Sequence, residues 1–385
     1  MTVGTHNDDN SSALAARAAE TERGDLWDKL RDEIVVPGDG ANTPPATAEP
    51  PSSPYNYTGY STNWARAYGR YLVVGGLICG LAIPELASMA RPFLVPLLVI
   101  SLMLALLQVD FGQVVNYTKQ KSLIASLIFA LLVLTPIFVA LEAKAVLVPY
   151  GLPMGIADGM ILAALAPPLL AAPVIAFLLG LDSLLALVVS LVAHLAAPLT
   201  IALLTDWLIG PDISIGVWEL AMRLALLIGA GFGIGLFLRV VGLPKLLRSS
   251  PVGVATLDGI SVITLALLAL ALMDGVTALT LTDPTFVVLA FVTGFLLNPL
   301  LQLLGAALFI KAGLKTSLTV GLLAGYRNTG VLIAVLAGDT DPKILTFLAI
   351  VQIPTFLMPM LTNPFMLWIK RTKLDPLEAS GSPGP

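Results

Sequence analysis

Long apolar stretches separated by short loops dominate residues 71–370 of this 385-residue chain. Each stretch is close to the ~20 residues that an α-helix needs to cross a bilayer. Because lipid offers no partners to unpaired backbone groups, such stretches predict transmembrane helices. The composition agrees, with 57% hydrophobic and only 12% charged residues. The sequence predicts ten spans, at 71–88, 91–109, 122–141, 158–180, 183–205, 215–238, 257–275, 284–308, 315–337 and 343–369.

The distribution of Lys and Arg between the loops predicts the orientation of these spans. With the N-terminus in the cytoplasm, twelve of these residues fall on the cytoplasmic side and three on the other. Cytoplasmic loops of membrane proteins carry an excess of positive charge. We therefore expect a multi-pass protein of the cell membrane with both termini in the cytoplasm. The twelve are Arg66, Arg70, Lys119, Lys121, Arg239, Lys245, Arg248, Lys311, Lys315, Lys370, Arg371 and Lys373, and the three are Arg91, Lys144 and Lys343.

The two ends of the chain differ in composition from the apolar region. Residues 1–60 hold ten acidic and four basic side chains, and residues 38–54 are rich in Pro, Ala, Ser and Thr. Segments of this kind cannot bury enough apolar surface to fold alone. The sequence predicts a largely disordered cytoplasmic tail over 1–70, a transporter domain over 71–370 and a short disordered tail over 371–385.

An even division of the ten spans gives two halves of five helices, 71–210 and 211–370. Because five is odd, the second half is inverted relative to the first, as in many secondary transporters. In such folds the substrate site lies where interrupted helices of the two halves meet near the bilayer midplane. The expected fold is an all-α integral membrane protein of two inverted five-helix repeats, whose discontinuous helices four and nine cross in a core domain.

Spans four and nine are each interrupted, and each is the fourth span of its half. Span four contains Pro167, Pro168 and Pro173. Proline removes a backbone donor and clashes with the preceding turn of a helix. Span nine contains Gly325 and Gly330, which flank four polar or aromatic residues and allow the helix to break there. Two interruptions in register predict a transport site.

The residues between those glycines are Tyr326, Arg327, Asn328 and Thr329. Arg at bilayer depth costs at least ~2.5–3.5 kcal/mol on insertion scales, so it is rare unless it faces a partner or a wet cavity. Together with the three prolines of span four, these residues are the predicted binding site for a small organic anion. Two alternatives stay open. The guanidinium could be a structural charge held by a carboxylate or by helix-end carbonyls, and the Asn and Thr side chains could cap the second half-helix.

The fifth span carries His194 among leucines and alanines. Imidazole titrates near physiological pH, so this side chain is a candidate proton carrier. The alternative is a packed, hydrogen-bonded histidine of the core. Ser190, His194 and Asn328 are the candidate residues for ion coupling.

Four stretches of the apolar region are similar to the bile acid:sodium symporter family of ten-span secondary transporters. They are Gly76–Pro84 in span one, Met103–Phe111 at the end of span two, Leu184–Pro198 in span five and Gly325-x-x-Asn328-x-Gly330 in span nine. The resemblance covers about 300 residues. It implies two subdomains, a panel and a core, with spans four and nine crossing in the core.

The chain departs from that family at its sodium site. Leu323 occupies the position of a sodium-coordinating Glu, and Arg327 that of a neighbouring Gln. Ala172-Pro173 replaces a polar Ser-Asn pair at the fourth-span break, and Leu131 replaces a Gln of the third span. These replacements remove most of the side-chain oxygens that Na⁺ would need. Coupling to Na⁺, to H⁺ or to neither stays open.

The predicted function is secondary active transport of a small organic anion by alternating access around broken helices four and nine. The alternative is a broken-helix carrier of another family, such as an auxin-efflux-like carrier or an ion/proton antiporter. No enzyme is predicted, because hydrolysis needs a nucleophile beside a base or a metal cluster, and the chain has two histidines and one cysteine. No cofactor, metal or nucleic acid is expected. The expected partners are a small anion and the lipid bilayer, with a homodimer as an open alternative.

Overall fold

The computed structural model describes residues 64–109, 121–211, 213–369 and 372. This part of the chain is helical, with short turns and two isolated β-bridges between the helices. Most of the two predicted tails lies outside the described residues. The α-helices are α1 (Trp64–Ala82), α2 (Pro84–Ala90), α3 (Leu94–Gln108), α4 (Lys121–Phe129), α5 (Thr135–Ala140), α6 (Met154–Leu165), α7 (Ala172–Leu178), α8 (Ser183–Leu208), α9 (Val217–Val240), α10 (Leu243–Arg248), α11 (Pro251–Leu272), α12 (Val276–Thr282), α13 (Pro284–Leu308), α14 (Leu314–Gly325), α15 (Gly330–Leu336) and α16 (Pro342–Ile369).

Six helical stretches among the described residues are long and apolar enough to cross a membrane. Three shorter apolar helices accompany them. The all-α membrane class predicted from the sequence therefore agrees with the structure, while ten crossings in two inverted repeats stay a prediction. The six stretches are Pro84–Gln108, Lys121–Tyr150, Ser183–Leu208, Val217–Val240, Val252–Thr282 and Pro284–Leu308. The shorter segments are Tyr71–Ala82 within α1, Met154–Leu165 (α6) and Pro342–Met358 within α16.

The boundary between the first two predicted spans lies earlier than the sequence suggested. The helix breaks at Ile83, whose φ of −129° and ψ of 82° lie outside the helical region. Proline disfavours helical geometry in the residue before it and is well suited to the first turn of a new helix, so Pro84 accounts for the break. Arg91–Phe93 forms only a 3₁₀ turn between α2 and α3. The second predicted span therefore begins at residue 84.

The third predicted span continues nine residues beyond its expected end at 141. The extension consists of the π-helical stretch Leu141–Leu147, which includes Glu142 and Lys144, followed by the 3₁₀ turn Val148–Tyr150. The Lys144 Nζ lies 3.0 Å from Oδ1 of Asp158, whose side chain is 2% exposed. This ion pair allows a lysine that the sequence placed in a loop to lie on a helix.

Helices α1, α3, α9 and α11 pack on one another, and α6, α8, α13, α14 and α16 form a second group. Every residue of α6 from Ile156 to Leu165 is buried, so this half-helix lies in the interior of the second group. Small residues allow close contact between helices of the second group. A Cβ on Gly321 of α14 would lie 2.6 Å from the carbonyl oxygen of Gln302 in α13. The backbones of α13 and α14 therefore approach without side chains between them.

Candidate functional site

Two helices are interrupted near the centre of the second group. Helix α6 ends at Leu165 and the chain resumes helical structure at Ala172, whereas α14 ends at Gly325 and α15 begins at Gly330. We call residues 166–171 the first break and residues 326–329 the second break.

The two breaks cross and pair through their backbones. The N–H of Asn328 donates to the carbonyl of Pro167, and the N–H of Leu169 donates to the carbonyl of Tyr326, both at 2.8 Å. Pro168 and Arg327 form an antiparallel β-bridge between them. Buried backbone groups need partners, and these bonds supply some of those that the helices do not. Pro167 and Pro168 have no N–H to satisfy, which reduces the number of donors at the crossing.

Arg327 lies at the ends of two half-helices. Its Nε donates to the carbonyl of Ala324 at 2.7 Å, and its Nη1 donates to the carbonyl of Ala166 at 3.1 Å. Ala324 is in the last turn of α14, and Ala166 is the C-cap of α6. Helix C-termini carry partial negative charge, so the guanidinium stabilises both. The residue is 2% exposed, and no carboxylate of the described residues forms an ion pair with it.

Two buried side-chain amides of the neighbouring helix α13 form hydrogen bonds at the start of the second break. Asn298 donates to the carbonyl of Gly325 at 2.9 Å, and Gln302 donates to Asn298 Oδ1 at 2.6 Å. Neither residue was expected at the site from the sequence. Their signal is a pair of amides four residues apart on an otherwise apolar helix, because residues at this spacing are neighbours on one helix face.

A cavity of about 480 Å³ lies beside the crossing. One wall comes from α3 and α11, and the other comes from the first break, α7, the second break and α16. Most of its lining is aliphatic, and no Lys or Arg is among the described residues that line it. The polar lining residues are Ser101, Gln108, Asp258, Ser261, Asn328 and Gln352.

Asn328 connects the cavity to the buried His194 of α8. The amide Nδ2 lies 3.4 Å from His194 Nε2, and His194 Nδ1 lies 2.8 Å from the carbonyl oxygen of Ser190. The Ser190 hydroxyl is buried and has no hydrogen-bond partner among the described residues. The three candidate ion-coupling residues therefore lie together, and Asn328 is the member that reaches the cavity.

Thr329 is held from α16 rather than capping α15. Its hydroxyl accepts a hydrogen bond from Gln352 Nε2 at 2.6 Å. As the N-cap residue of α15, Thr329 makes no side-chain capping hydrogen bond. The capping role considered for Thr329 from the sequence is therefore not the one that its side chain has in the structure.

The other predicted substrate-binding residues lie off the cavity. Asn328 is the one predicted residue among the side chains that line it, and Gly330, predicted as a helix-break position, lines it as well. Arg327 lines instead a void of about 10 Å³ near Asn298 and Thr355. Consecutive residues of the second break thus reach different sides of the crossing. The predicted residues away from the cavity are Tyr326, Arg327, Thr329, Pro167, Pro168 and Pro173, all of them buried.

Ion pairs of the described residues lie away from the crossing. Arg223 of α9 donates to Asp339 at 2.6 Å and to Glu219 at 2.5 Å. At the start of α16, Lys343 pairs with Asp283 at 2.8 Å and lowers the pKa of that carboxyl group through a hydrogen bond. In these pairs a carboxylate neutralises the basic side chain, whereas the guanidinium at the crossing is held by backbone carbonyls.

The described residues contain no group of three or more His, Cys, Asp or Glu side chains that could hold a metal ion. Neither protein-family models nor curated proteins gave a match to this sequence. The crossing, the cavity and the side chains between them are therefore the features from which a function is inferred.

Proposed function

We propose that this protein is a secondary transporter that carries a small organic anion with a largely apolar body across the membrane. The observation that carries the proposal is a cavity of about 480 Å³ beside two paired helix breaks. Broken helices are tolerated at membrane depth where their backbone is buried in protein or lines a cavity. Secondary transporters commonly place their substrate at such breaks.

The lining of the cavity supports an apolar body for the substrate. Aliphatic side chains of α3, α7 and α11 provide most of the surface, and a few polar groups lie among them. Binding pockets of this composition select organic molecules whose orientation is fixed by a small number of polar contacts. Asn328 is the polar side chain of the second break that lines the cavity, so we place the head group of the solute there.

The buried guanidinium supports a negative charge on that head group. Arg327 is adjacent in sequence to Asn328 and lacks an ion-paired carboxylate among the described residues. At an effective dielectric of about 20, a unit charge about 10 Å away still contributes roughly 1–2 kcal/mol. The same charge at about 4 Å would cost a sodium ion ~4 kcal/mol. We therefore propose that Arg327 acts as a built-in cation and that transport does not need Na⁺.

A cation/proton exchanger is a second candidate, favoured by one observation. Asp158 is a buried carboxylate on the first half-helix and pairs with Lys144. Asp158 precedes the C-cap of α6 by eight residues, which corresponds to about 12 Å along the helix. A carboxylate this far from the crossing fits an exchanger less well than the guanidinium fits an anion carrier.

The proposed topology has ten crossings with both termini in the cytoplasm. It rests on the distribution of Lys and Arg, with the described helices as candidate spans. Cysteines introduced at Asp283 and Asp341 in a Cys79→Ala background should react with an impermeant thiol reagent from outside intact cells. A cysteine at Ser249 should react after permeabilisation only. Labelling of all three from one side would contradict this topology.

Counterflow uptake in proteoliposomes tests the transport proposal. Labelled benzoate, cholate and naphthalene-2-sulfonate are offered outside vesicles that contain the same unlabelled anion, in Na⁺ and then in K⁺ medium. We expect uptake of at least one anion at equal rates in both media. Arg327→Met should reduce it about 5- to 30-fold, as a loss of roughly 1–2 kcal/mol implies, and Arg327→Lys should restore it in part, because an ammonium cannot reproduce the guanidinium fork.

The control is Arg223→Lys, which changes an arginine whose partners lie elsewhere and should keep uptake. Folding of each variant is checked by size-exclusion chromatography and thermal unfolding in detergent. Steep sodium dependence of the wild-type protein, or full uptake by the Met variant, would rule out the proposed role of Arg327. Absence of counterflow for every anion would contradict the transporter itself.

A further inference from the structure

Two contacts of His194 bear on which ring nitrogen carries its hydrogen. A backbone carbonyl can only accept, so the 2.8 Å contact with the Ser190 carbonyl requires the hydrogen on Nδ1. The other nitrogen, Nε2, then has a lone pair and accepts from the Asn328 amide at 3.4 Å. This arrangement is that of a neutral imidazole with Asn328 as the donor, and the reverse roles need a hydrogen on Nε2 and the amide oxygen turned toward it.

This tautomer determines which end of the Asn328 amide is turned away from the imidazole. Because Nδ2 is directed to the imidazole, the amide oxygen Oδ1 lies on the side of Gly330, 3.8 Å from where a Cβ of that residue would be. Both Asn328 and Gly330 line the cavity. In this state the crossing offers a hydrogen-bond acceptor, which does not suit an anionic head group.

We propose that proton uptake at His194 turns the Asn328 amide over and thereby couples anion binding to H⁺. A proton from the aqueous phase adds to the lone pair of Nε2. The amide then rotates by about half a turn, so that Oδ1 accepts from the new N–H and the NH₂ group faces the cavity, where it donates to the anion. No covalent bond of the protein breaks. This inference rests on the proposed transport function and specifies symport of one proton with one anion.

Charge compensation makes the two binding events cooperative. An isolated charge in a low-dielectric interior is costly, which applies both to an imidazolium and to an organic anion. Bound together, they form a neutral pair linked through one amide. Because such coupling is reciprocal, the anion promotes protonation as strongly as the proton promotes anion binding.

The surroundings of the imidazole leave it without a charged neighbour among the described residues. Its polar and aromatic contacts among the described residues are the Ser190 carbonyl, the Asn328 amide and the ring of Phe232, 6.0 Å away between centroids. The helices packed against α8 carry charged side chains, but none of them is in hydrogen-bond or ion-pair contact with the imidazole. The guanidinium of Arg327 is directed to the carbonyls of Ala166 and Ala324. The charged residues of these helices are Lys121 in α4, Asp158 in α6, Lys315 in α14, and Glu219, Arg223 and Arg239 in α9. Asp258 of α11 lies on the opposite wall of the cavity.

Proteoliposomes separate the coupling from transport itself. Each anion that shows counterflow at equal pH is next offered with an acidic outside medium, with protein-free liposomes as the blank. For one-to-one electroneutral symport we expect the wild-type protein to accumulate the anion about tenfold per pH unit. His194→Gln keeps a hydrogen-bonding side chain that cannot be protonated, so its steady-state accumulation should fall to the blank. Asp206→Asn, which removes an exposed carboxylate of the same helix that does not line the cavity, should keep the accumulation.

A second measurement uses the wild-type protein alone, so it does not depend on whether a variant folds. Wild-type protein in detergent, in weak buffer with a pH indicator, is mixed with naphthalene-2-sulfonate, whose own charge does not titrate, or with whichever anion shows counterflow. We expect uptake of about one proton for each anion bound. Counterflow without proton uptake or acid-driven accumulation overturns the coupling and leaves the transporter standing. Persistence of both in His194→Gln overturns the role of His194, and absence of counterflow for every anion overturns both proposals.

Discussion

The two breaks that meet at the crossing differ in what they contribute. The first break contains Pro167 and Pro168 and supplies backbone groups, among them the Ala166 carbonyl that accepts from a guanidinium. The second break supplies side chains, with Arg327 and Asn328 directed to different sides. Proline fixes the shape of a backbone, whereas polar side chains provide contacts that can change. One break therefore sets the geometry, and the other carries the chemistry.

The flanks of the breaks show the same difference. The first break is bounded by apolar alanines and leucines, whereas the second is bounded by Gly325 and Gly330. Gly325 lies against the α13 amides Asn298 and Gln302, where no side chain would fit. Substitutions in the first break should thus affect shape and transport, and those in the second should affect packing and specific hydrogen bonds.

The largest effect is expected from replacing Pro167 and Pro168 together by Ala. A proline costs about 3 kcal/mol in a helix interior, so its removal lets residues 166–171 extend the helix. Losing the two backbone hydrogen bonds of the crossing, at about 1 kcal/mol each, corresponds to roughly a thirtyfold loss of counterflow. Pro173→Ala is the matched control, because Pro173 lies in the first turn of α7, where its missing N–H needs no partner. Unchanged transport in the double variant, or an equal loss in the control, would show that the first break does not set the geometry.

The flanking glycines are expected to differ in their effect on stability. A Cβ on Gly325 would lie 2.3 Å from Gln302 Cγ and 3.0 Å from the Asn298 carbonyl oxygen, so Gly325→Ala should destabilise by about 1–3 kcal/mol. A Cβ on Gly330 would meet its nearest atom, Leu98 Cδ2, at 3.5 Å. Alanine is a better helix former than glycine by roughly 0.5–1 kcal/mol, so Gly330→Ala should be neutral or slightly stabilising. Thermal unfolding in detergent measures both, and a larger loss at Gly330 would contradict the packing described for the second break.

A smaller effect is expected for the hydrogen bond between Thr329 and Gln352. In a double-mutant cycle of Thr329→Val and Gln352→Met, we expect a coupling of about 0.5–1.5 kcal/mol in the free energy of unfolding. Thr346→Val is the control, because its hydroxyl bonds the Pro342 carbonyl one turn earlier in the same helix. Zero coupling would mean that α16 does not hold the second break through this bond.

The local features of the crossing could be predicted from the sequence. Helix α14 ends at Gly325 and α15 begins at Gly330, the two glycines singled out in span nine. The first break falls where Pro167 and Pro168 are consecutive in the chain. Both features depend on neighbours in sequence, since proline and glycine act on the backbone at their own positions.

The directions of the side chains could not be predicted in the same way. The sequence places Arg327 and Asn328 side by side, but the backbone pairing with the first break decides which of them reaches the cavity. The pair of Lys144 with Asp158 depends on how two helices pack, and the sequence favoured a loop for this lysine. Contacts between residues far apart in the chain are set by the packing and are not encoded in local patterns.

Filling the cavity tests the central claim, that an organic anion passes through the space beside the crossing. Ala105 of α3 lines the cavity, and Ala225 of α9 is exposed on the surface of its helix. Counterflow of benzoate, cholate and naphthalene-2-sulfonate is compared between Ala105→Trp and Ala225→Trp, with thermal unfolding as the check on folding. We expect the indole at position 105 to remove uptake and the indole at position 225 to leave it at the wild-type rate. Equal uptake by the two folded variants would contradict transport through this cavity.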